Sequence, residues 1–294
     1  MAKSIAIYNN KGGVGKTTLS LFLSDFLSSI TINKKKSKVL VMDFDPQASC
    51  ANAVLGIEKV SEIINNSLTL PYILNAKLDK KEEPDLSKFI FTREENSETK
   101  TRKTRLGNLD VMVSEPNLAL SFDEKASIDD SLELAHWIES ELVAKYDFIF
   151  VDLPGSISKV NKFSLVGAFL AEYFIVPTEP NRLNVNALSG TLNMLENIKN
   201  WKGRRNNFKL LGFVLNKTDK RARQFKLHKD ELNHFAKFKN CKIFKNVLPP
   251  TPKLSDASDD SIKFITLSDR YDSYYSNVRD LVIEIIKDLG FVKN

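Results

Sequence analysis

The sequence predicts an α/β fold: a single doubly wound, mostly parallel sheet flanked by helices. Two observations predict it. Short, nearly continuous apolar runs alternate along the chain with longer stretches of helical periodicity, the pattern of strands buried on both faces and joined by helical crossovers. The chain also opens on such a run (Ile5, Ala6, Ile7, Tyr8). It continues through a glycine-rich turn into a helical pattern carried by Leu19, Leu21, Phe22, Leu23, Phe26 and Leu27.

In order, strands are expected at 4–8, 39–42, 109–113, 148–151, 173–176, 210–215 and 243–247. Helices are expected at 17–30, 131–145, 185–200, 221–238 and 275–289. Neither an internal repeat nor a linker divides the 294 residues, so 1–294 reads as one domain. One stretch breaks the alternation. Residues 79–105 are strongly charged, from Lys80, Lys81, Glu82 and Glu83 through Arg93, Glu94 and Glu95 to Lys100, Arg102, Lys103 and Arg105. So long a polar stretch reads as a solvated loop or surface insertion, or as an element that meets a partner.

Charge is distributed unevenly. Lys and Arg number 43 against 37 Asp and Glu, a net of +6. Residues 201–250 hold fourteen of the basic residues and only three acids, a local net of +11, which leaves −5 on the rest of the chain. Such asymmetry points to a polyanionic partner. The two cysteines, Cys50 and Cys241, are far apart and lack metal-ligand spacing, as for free thiols in a reducing compartment. No run approaches the ~18 apolar residues of a membrane span, and the first strand is too short for a signal peptide core. A cytoplasmic protein is expected.

The glycine-rich turn carries the chemistry. Lys11, Gly12, Gly13, Val14, Gly15, Lys16, Thr17 and Thr18 follow G-x-x-x-x-G-K-[ST] in relaxed form. Glycines let successive N–H groups turn inward on phosphate oxygens, and the helix that follows adds its N-terminal dipole. Lys16 would reach the β- and γ-phosphates, and the Thr17 hydroxyl would ligate Mg²⁺. A second element follows the strand at 39–42. Asp43 and Asp45, two residues apart at a strand end, point the same way toward the ligand crevice of a parallel sheet. One carboxylate can hold the hydration shell of Mg²⁺ while the other orients a water. The strand at 148–151 ends in Asp152, the Walker B arrangement, in which a carboxylate meets Mg²⁺ through water. The strand at 210–215 ends in Asn216, whose amide offers both a donor and an acceptor to an adenine edge.

Together these residues resemble the ParA/MinD family of deviant Walker A ATPases, and Asp43-Phe-Asp45-Pro-Gln47 resembles the box of its ParA branch. The sharp motifs cover about thirty residues, whereas the order of elements covers nearly the whole chain. The resemblance implies an ATP- and Mg²⁺-dependent homodimer that sandwiches two nucleotides. It implies that Lys11 reaches the partner's phosphates while Lys16 acts in cis. Thr17 would bind Mg²⁺ with Asp43 and Asp152 in its outer shell, and Asp45 would position the attacking water. Pro249, in Leu248-Pro249-Pro250, would sit in the adenine loop, where the family often has Ile-Pro-Arg. Hydrolysis would be slow until a partner stimulates it. Gly155 stands where the family often has a second proline, so a more flexible loop is expected there. The chain starts almost at the motif, so no N-terminal helix-turn-helix domain is expected.

Lys202, Arg204, Arg205, Lys220, Arg221, Arg223 and Lys226 would hold a phosphate backbone without reading bases, as nonspecific DNA binding on the nucleoid requires. The C-terminal pattern sets Val278, Leu281, Val282, Ile285, Ile286 and Leu289 on one stripe. Its other face mixes Asp280, Glu284 and Asp288 with Arg279 and Lys287, which suits packing on the domain better than docking on anionic lipid. His136, His228 and His234 have no metal spacing. The expected function is therefore a DNA-partition ATPase stimulated by a centromere-binding adaptor protein. The alternatives are the same engine on protein cargo, or a nucleotide-dependent regulatory module.

Overall fold

The computed structural model describes residues 2–32, 34–79, 84–93, 106–202, 208–250 and 264–291. Its strands are β1 (Lys3–Ile7), β2 (Thr31–Ile32), β3 (Lys35–Lys36), β4 (Val39–Asp43), β5 (Phe91–Arg93), β6 (Leu109–Met112), β7 (Phe148–Asp152), β8 (Tyr173–Thr178), β9 (Lys209–Leu215) and β10 (Lys242–Ile243). β2 and β3 form a separate hairpin, and the other eight make one sheet in the order β10-β9-β8-β1-β7-β4-β6-β5. Every neighbouring pair in it is parallel except β5 with β6. Near-continuous apolar strands are buried on both faces, as a parallel sheet requires.

Alternate residues of β1 divide the core. Ile5 and Ile7 face one layer, with α1 (Lys16–Ser29), α2 (Ser49–Leu55) and α3 (Ile57–Asn65). The C-terminal α10 (Leu267–Tyr271) and α11 (Tyr275–Asp288) complete that layer, with Phe22, Phe26, Tyr271 and Leu281 in its core. Ala6 and Tyr8 face the other layer, formed by α4 (Leu70–Leu78), α5 (Pro116–Lys125), α6 (Ile128–Leu142), α7 (Lys162–Leu170), α8 (Arg182–Lys202) and α9 (Arg223–Phe238).

The structure departs from the sequence reading in identifiable places. α6 starts a turn before the expected residue 131, because Ser127 and Asp130 form a capping box that satisfies its first N–H groups. α7 reads as an unpatterned apolar run because Phe163 through Leu170 are all buried, so no polar face marks its period. The strand expected at 243–247 ends at Ile243. At Lys245 and Asn246 the backbone N–H groups turn to the Glu284 side chain on α11.

Part of the charged 79–105 stretch joins the sheet as β5, on the outer edge of β6. Residues 80–83 and 94–105 lie outside the described residues. Arg93 turns inward from that edge. Its Nη1 donates to Asp25 Oδ1 at 2.7 Å, and Arg270 Nη1 meets Asp25 Oδ2 at 3.1 Å. The Tyr271 hydroxyl donates to the same carboxylate. Burial alone would raise the Asp25 pKa, but the two guanidinium groups and the Tyr271 hydroxyl hold it below the usual range.

Candidate nucleotide site

The chain leaves β1 for β4 and β6, returns to β7 beside β1, and only then crosses to β8 on the other side. β1 is thus the topological switch point, where an open α/β sheet has its crevice. The loop after β1 opens into that crevice. Gly13 (φ 75°) and Gly15 (φ 90°) are left-handed, a conformation that an L side chain resists. A Cβ on Gly12 or Gly13 would meet open space, whereas one on Gly15 would overlap Asn216 Nδ2. The loop therefore has a free concave side and a braced back.

The brace comes from segments distant in sequence. Asn216 Nδ2 donates to the Val14 carbonyl at 2.9 Å, and Lys217 Nζ to the Gly13 carbonyl at 2.7 Å. Asn9 Oδ1 accepts the Lys11 N–H at 2.9 Å and the Thr191 hydroxyl at 3.0 Å. The Asn10 N–H donates to Thr191 Oγ1 at 3.2 Å. Asn9, Asn10 and Thr191 carry no signal in the sequence, and Lys217 reads there only as one of the basic residues near the start of α9, since their partners lie up to 204 residues away.

The acidic side is built from β4, β7 and α1. Asp43 and Asp152 are register partners on adjacent strands, and both are fully buried. Asp152 Oδ2 accepts the Thr17 hydroxyl and Oδ1 the Ser20 hydroxyl, each at 2.8 Å. Ser20, three residues after Thr17 on the same helix face, is a further site residue beyond the motif. Burial pushes the Asp152 pKa up to about 6, against the pull of the two hydroxyls. Burial, then repulsion from Asp152, pushes Asp43 well above the carboxylate range. A cation between them would reverse both shifts.

Asp43 also shapes the chain after β4. Its Oδ1 accepts the Asp45 N–H at 3.1 Å and its Oδ2 the Ala51 N–H at 2.9 Å. Asp45 Oδ1 accepts the Gln47 N–H at 3.0 Å. These are two successive Asx turns, and they leave Asp45 half-buried at the mouth of the crevice.

Lys16 and Lys11 occupy different places. Lys16 Nζ donates to the Lys11 carbonyl at 3.3 Å. Burial lowers its pKa, while Asp152 and Asp45 oppose that shift. A Cβ on Gly155 would sit 3.3 Å from Lys16 Nζ, so the glycine leaves this ammonium its room. Lys11 lines a cavity of about 370 Å³ together with Gly12, Gly13, Glu179, Arg182 and Asn184. Thr18 is half-buried in the first turn of α1.

On the far side of the loop, Asn216 is 2% exposed, and its Oδ1 has no hydrogen-bond partner. Leu248 N–H donates to the Leu215 carbonyl at 2.8 Å, and Thr218 N–H to the Leu248 carbonyl at 2.9 Å. These bonds set Pro249 beside the end of β9.

Thr17, Asp43 and Asp152 offer hard oxygen donors suited to Mg²⁺. No group of three His, Cys, Asp or Glu among the described residues could enclose a metal.

The basic residues divide. Lys220, Arg221, Arg223 and Lys226 are exposed at and before the start of α9, with Arg221 paired to Asp219 at 3.1 Å. Lys202 ends α8, its side chain is not among those described, and Arg204 and Arg205 lie outside the described residues. Among the described residues, no helix is long and apolar enough to cross a membrane.

The sequence profile of the AAA domain family matches residues 2–210. The sporulation initiation inhibitor protein Soj of Bacillus subtilis is 27% identical over 260 residues, 87% of this chain and 88% of that protein. The chromosome-partitioning ATPase Soj of Treponema pallidum is 26% identical, over 87% of each chain. The fold is also that of the septum site-determining protein MinD of Pyrococcus horikoshii, solved with Mg-ADP. The TM-score is 0.68 at 22% identity, covering all of both chains. The chain thus belongs to the AAA domain family: Lys11 ahead of Lys16 gives it the deviant Walker A loop, and Asp43-Phe-Asp45-Pro-Gln47 is the box that makes it ParA-type.

Proposed function

We propose that the protein is a DNA-partition ATPase that dimerises with ATP, binds DNA nonspecifically and hydrolyses ATP when a centromere-bound adaptor stimulates it. One observation carries this reading: the phosphate loop holds two lysines in separate places, Lys16 turned in toward its own loop and Lys11 lining a neighbouring cavity. Lys16 and the loop N–H groups bind the phosphates in cis. Lys11 meets those of a second copy, supplying positive charge where it develops in the transition state. Thr17 would hold Mg²⁺ directly, with Asp43 and Asp152 acting through water, and a bound ion would supply charge neutralisation to the phosphates. Asp45 orients the attacking water. The buried Asn216 Oδ1 accepts from the adenine amino group, with Pro249 against the base.

The exposed cations Lys220, Arg221, Arg223 and Lys226 supply the DNA contact, and the cell body this predicts is the nucleoid. The test is retention of a nonspecific duplex with ATP, with ADP and without nucleotide, across a salt series, beside Lys16→Ala. Retention with ATP alone, lost in the variant and falling with salt, supports the reading. DNA ignored in every nucleotide state overturns the DNA part and leaves protein cargo or a regulatory module.

A further inference from the structure

β10 is two residues long, yet the chain beyond it must hold the base side of the site. The stretch from Lys245 to Pro249 is fastened to one face of α11. Both Glu284 carboxylate oxygens accept the Lys245 N–H at 3.0 Å. Its Oε2 also takes the Asn246 N–H at 3.3 Å and Asn246 Nδ2 at 3.0 Å. Lys242 Nζ adds an ion pair at 3.1 Å. Along the same helix, the Asp280 carbonyl accepts Asn246 Nδ2 at 3.1 Å, and the Tyr274 hydroxyl, just before the helix, donates to the Pro249 carbonyl at 3.0 Å. Asn277 Nδ2 donates to the Val247 carbonyl at 3.5 Å, so Asn277 and Glu284, seven residues apart, share one stripe of α11 with Tyr274 just ahead of it.

The far end of this stretch connects to the phosphate loop. Leu248 is bonded to Leu215 and Thr218, and the two residues between those, Asn216 and Lys217, hold the Val14 and Gly13 carbonyls. Glu284 is 14% exposed. Burial would raise its pKa, but the Lys245 N–H and Lys242 keep it below the usual range, so it remains an acceptor for all these donors. A carboxylate here takes the place of a neighbouring strand: it receives backbone N–H groups that no ladder satisfies.

We infer that Glu284 is a positioning residue for nucleotide-base binding, fixing the Lys245–Pro249 stretch without touching the ligand. The inference rests on the nucleotide site proposed above. It also gives a role to Glu284 on the mixed-charge face of the C-terminal helix.

The experiment measures the affinities of the full chain for Mg-ATP and for Mg-tripolyphosphate, which fills a phosphate site and has no base. It uses the wild type, Glu284→Gln and Tyr274→Phe. Gln turns an amide N–H₂ toward backbone donors, and Phe removes one hydroxyl while keeping its ring. The expected result is a loss of about tenfold or more in ATP affinity for Glu284→Gln. Tyr274→Phe should shift in the same direction by less, and tripolyphosphate binding should stay within about twofold of wild type. An unchanged ratio of the two affinities in both variants, whether through no loss or through parallel loss, overturns the inference. A wild type that binds tripolyphosphate and ATP equally overturns the base site itself, a separate failure.

Discussion

The Thr17 hydroxyl donates to Asp152 Oδ2 at 2.8 Å across 135 residues of sequence. A residue of the first helix and the end of the seventh strand are thereby one hydrogen bond apart. The bond points Thr17 Oγ1 at the crevice, with its remaining lone pairs available to a cation. Thr17→Ala is expected to lower the Mg²⁺-dependent gain in nucleotide affinity by about ten- to a hundredfold. Binding in EDTA should be little altered, and Thr17→Ser should restore the gain. Calorimetric titration with and without Mg²⁺ checks this, and equal losses in both conditions would count against Thr17 as a metal ligand.

Gly15→Ala should disable the loop more severely than its one added methyl suggests. The φ of 90° costs a non-glycine residue about 1–3 kcal/mol, and the new Cβ overlaps Asn216 Nδ2, displacing the amide from the Val14 carbonyl. The expected outcome is a nucleotide affinity at least about tenfold weaker in a protein that still folds. Fluorescent-nucleotide titration beside circular dichroism separates the two effects.

Asp45→Asn keeps an oxygen able to accept the Gln47 N–H, so the turn at the mouth of the site should survive. What disappears is the negative charge available to a water. Turnover is expected to fall by about a hundredfold or more, with ATP affinity near wild type. Single-turnover phosphate release beside equilibrium binding measures both. Turnover near the wild-type rate would remove Asp45 from catalysis.

Asp25 is the buried anion between Arg93 and Arg270. Asp25→Asn would remove the buried carboxylate charge that Arg93 and Arg270 both meet, at an expected cost of about 3–5 kcal/mol in denaturant unfolding. Its folded-state pKa lies below the usual value. Its stabilisation is therefore complete above about pH 4 and is lost as pH falls through the lower folded value. Unfolding midpoints measured from pH 7 to pH 3 should fall less steeply in the variant than in the wild type.

Local patterns were readable where one segment does a whole task. Lys11 through Thr18 are contiguous, the pattern of a phosphate-binding loop, and Asp43 and Asp152 each end an apolar strand, with Asp45 two residues past Asp43. Long-range polar contacts left no comparable mark. Thr191 looks like any residue of an amphipathic helix until it meets Asn9 and Asn10. Arg93 looks solvated in a charged stretch until β5 carries it to Asp25.

By itself the sequence determined the fold class, the phosphate loop and the carboxylates at the strand ends, because backbone periodicity and loop chemistry are written in neighbouring residues. Tertiary structure alone decided that Asn216 and Lys217 brace that loop, that Ser20 joins Thr17 on Asp152, and that Glu284 holds the chain where β10 stops. The reason is physical. A buried donor or acceptor takes its partner from whatever the packed sheet brings within about 3 Å, and that neighbour can come from anywhere along the chain.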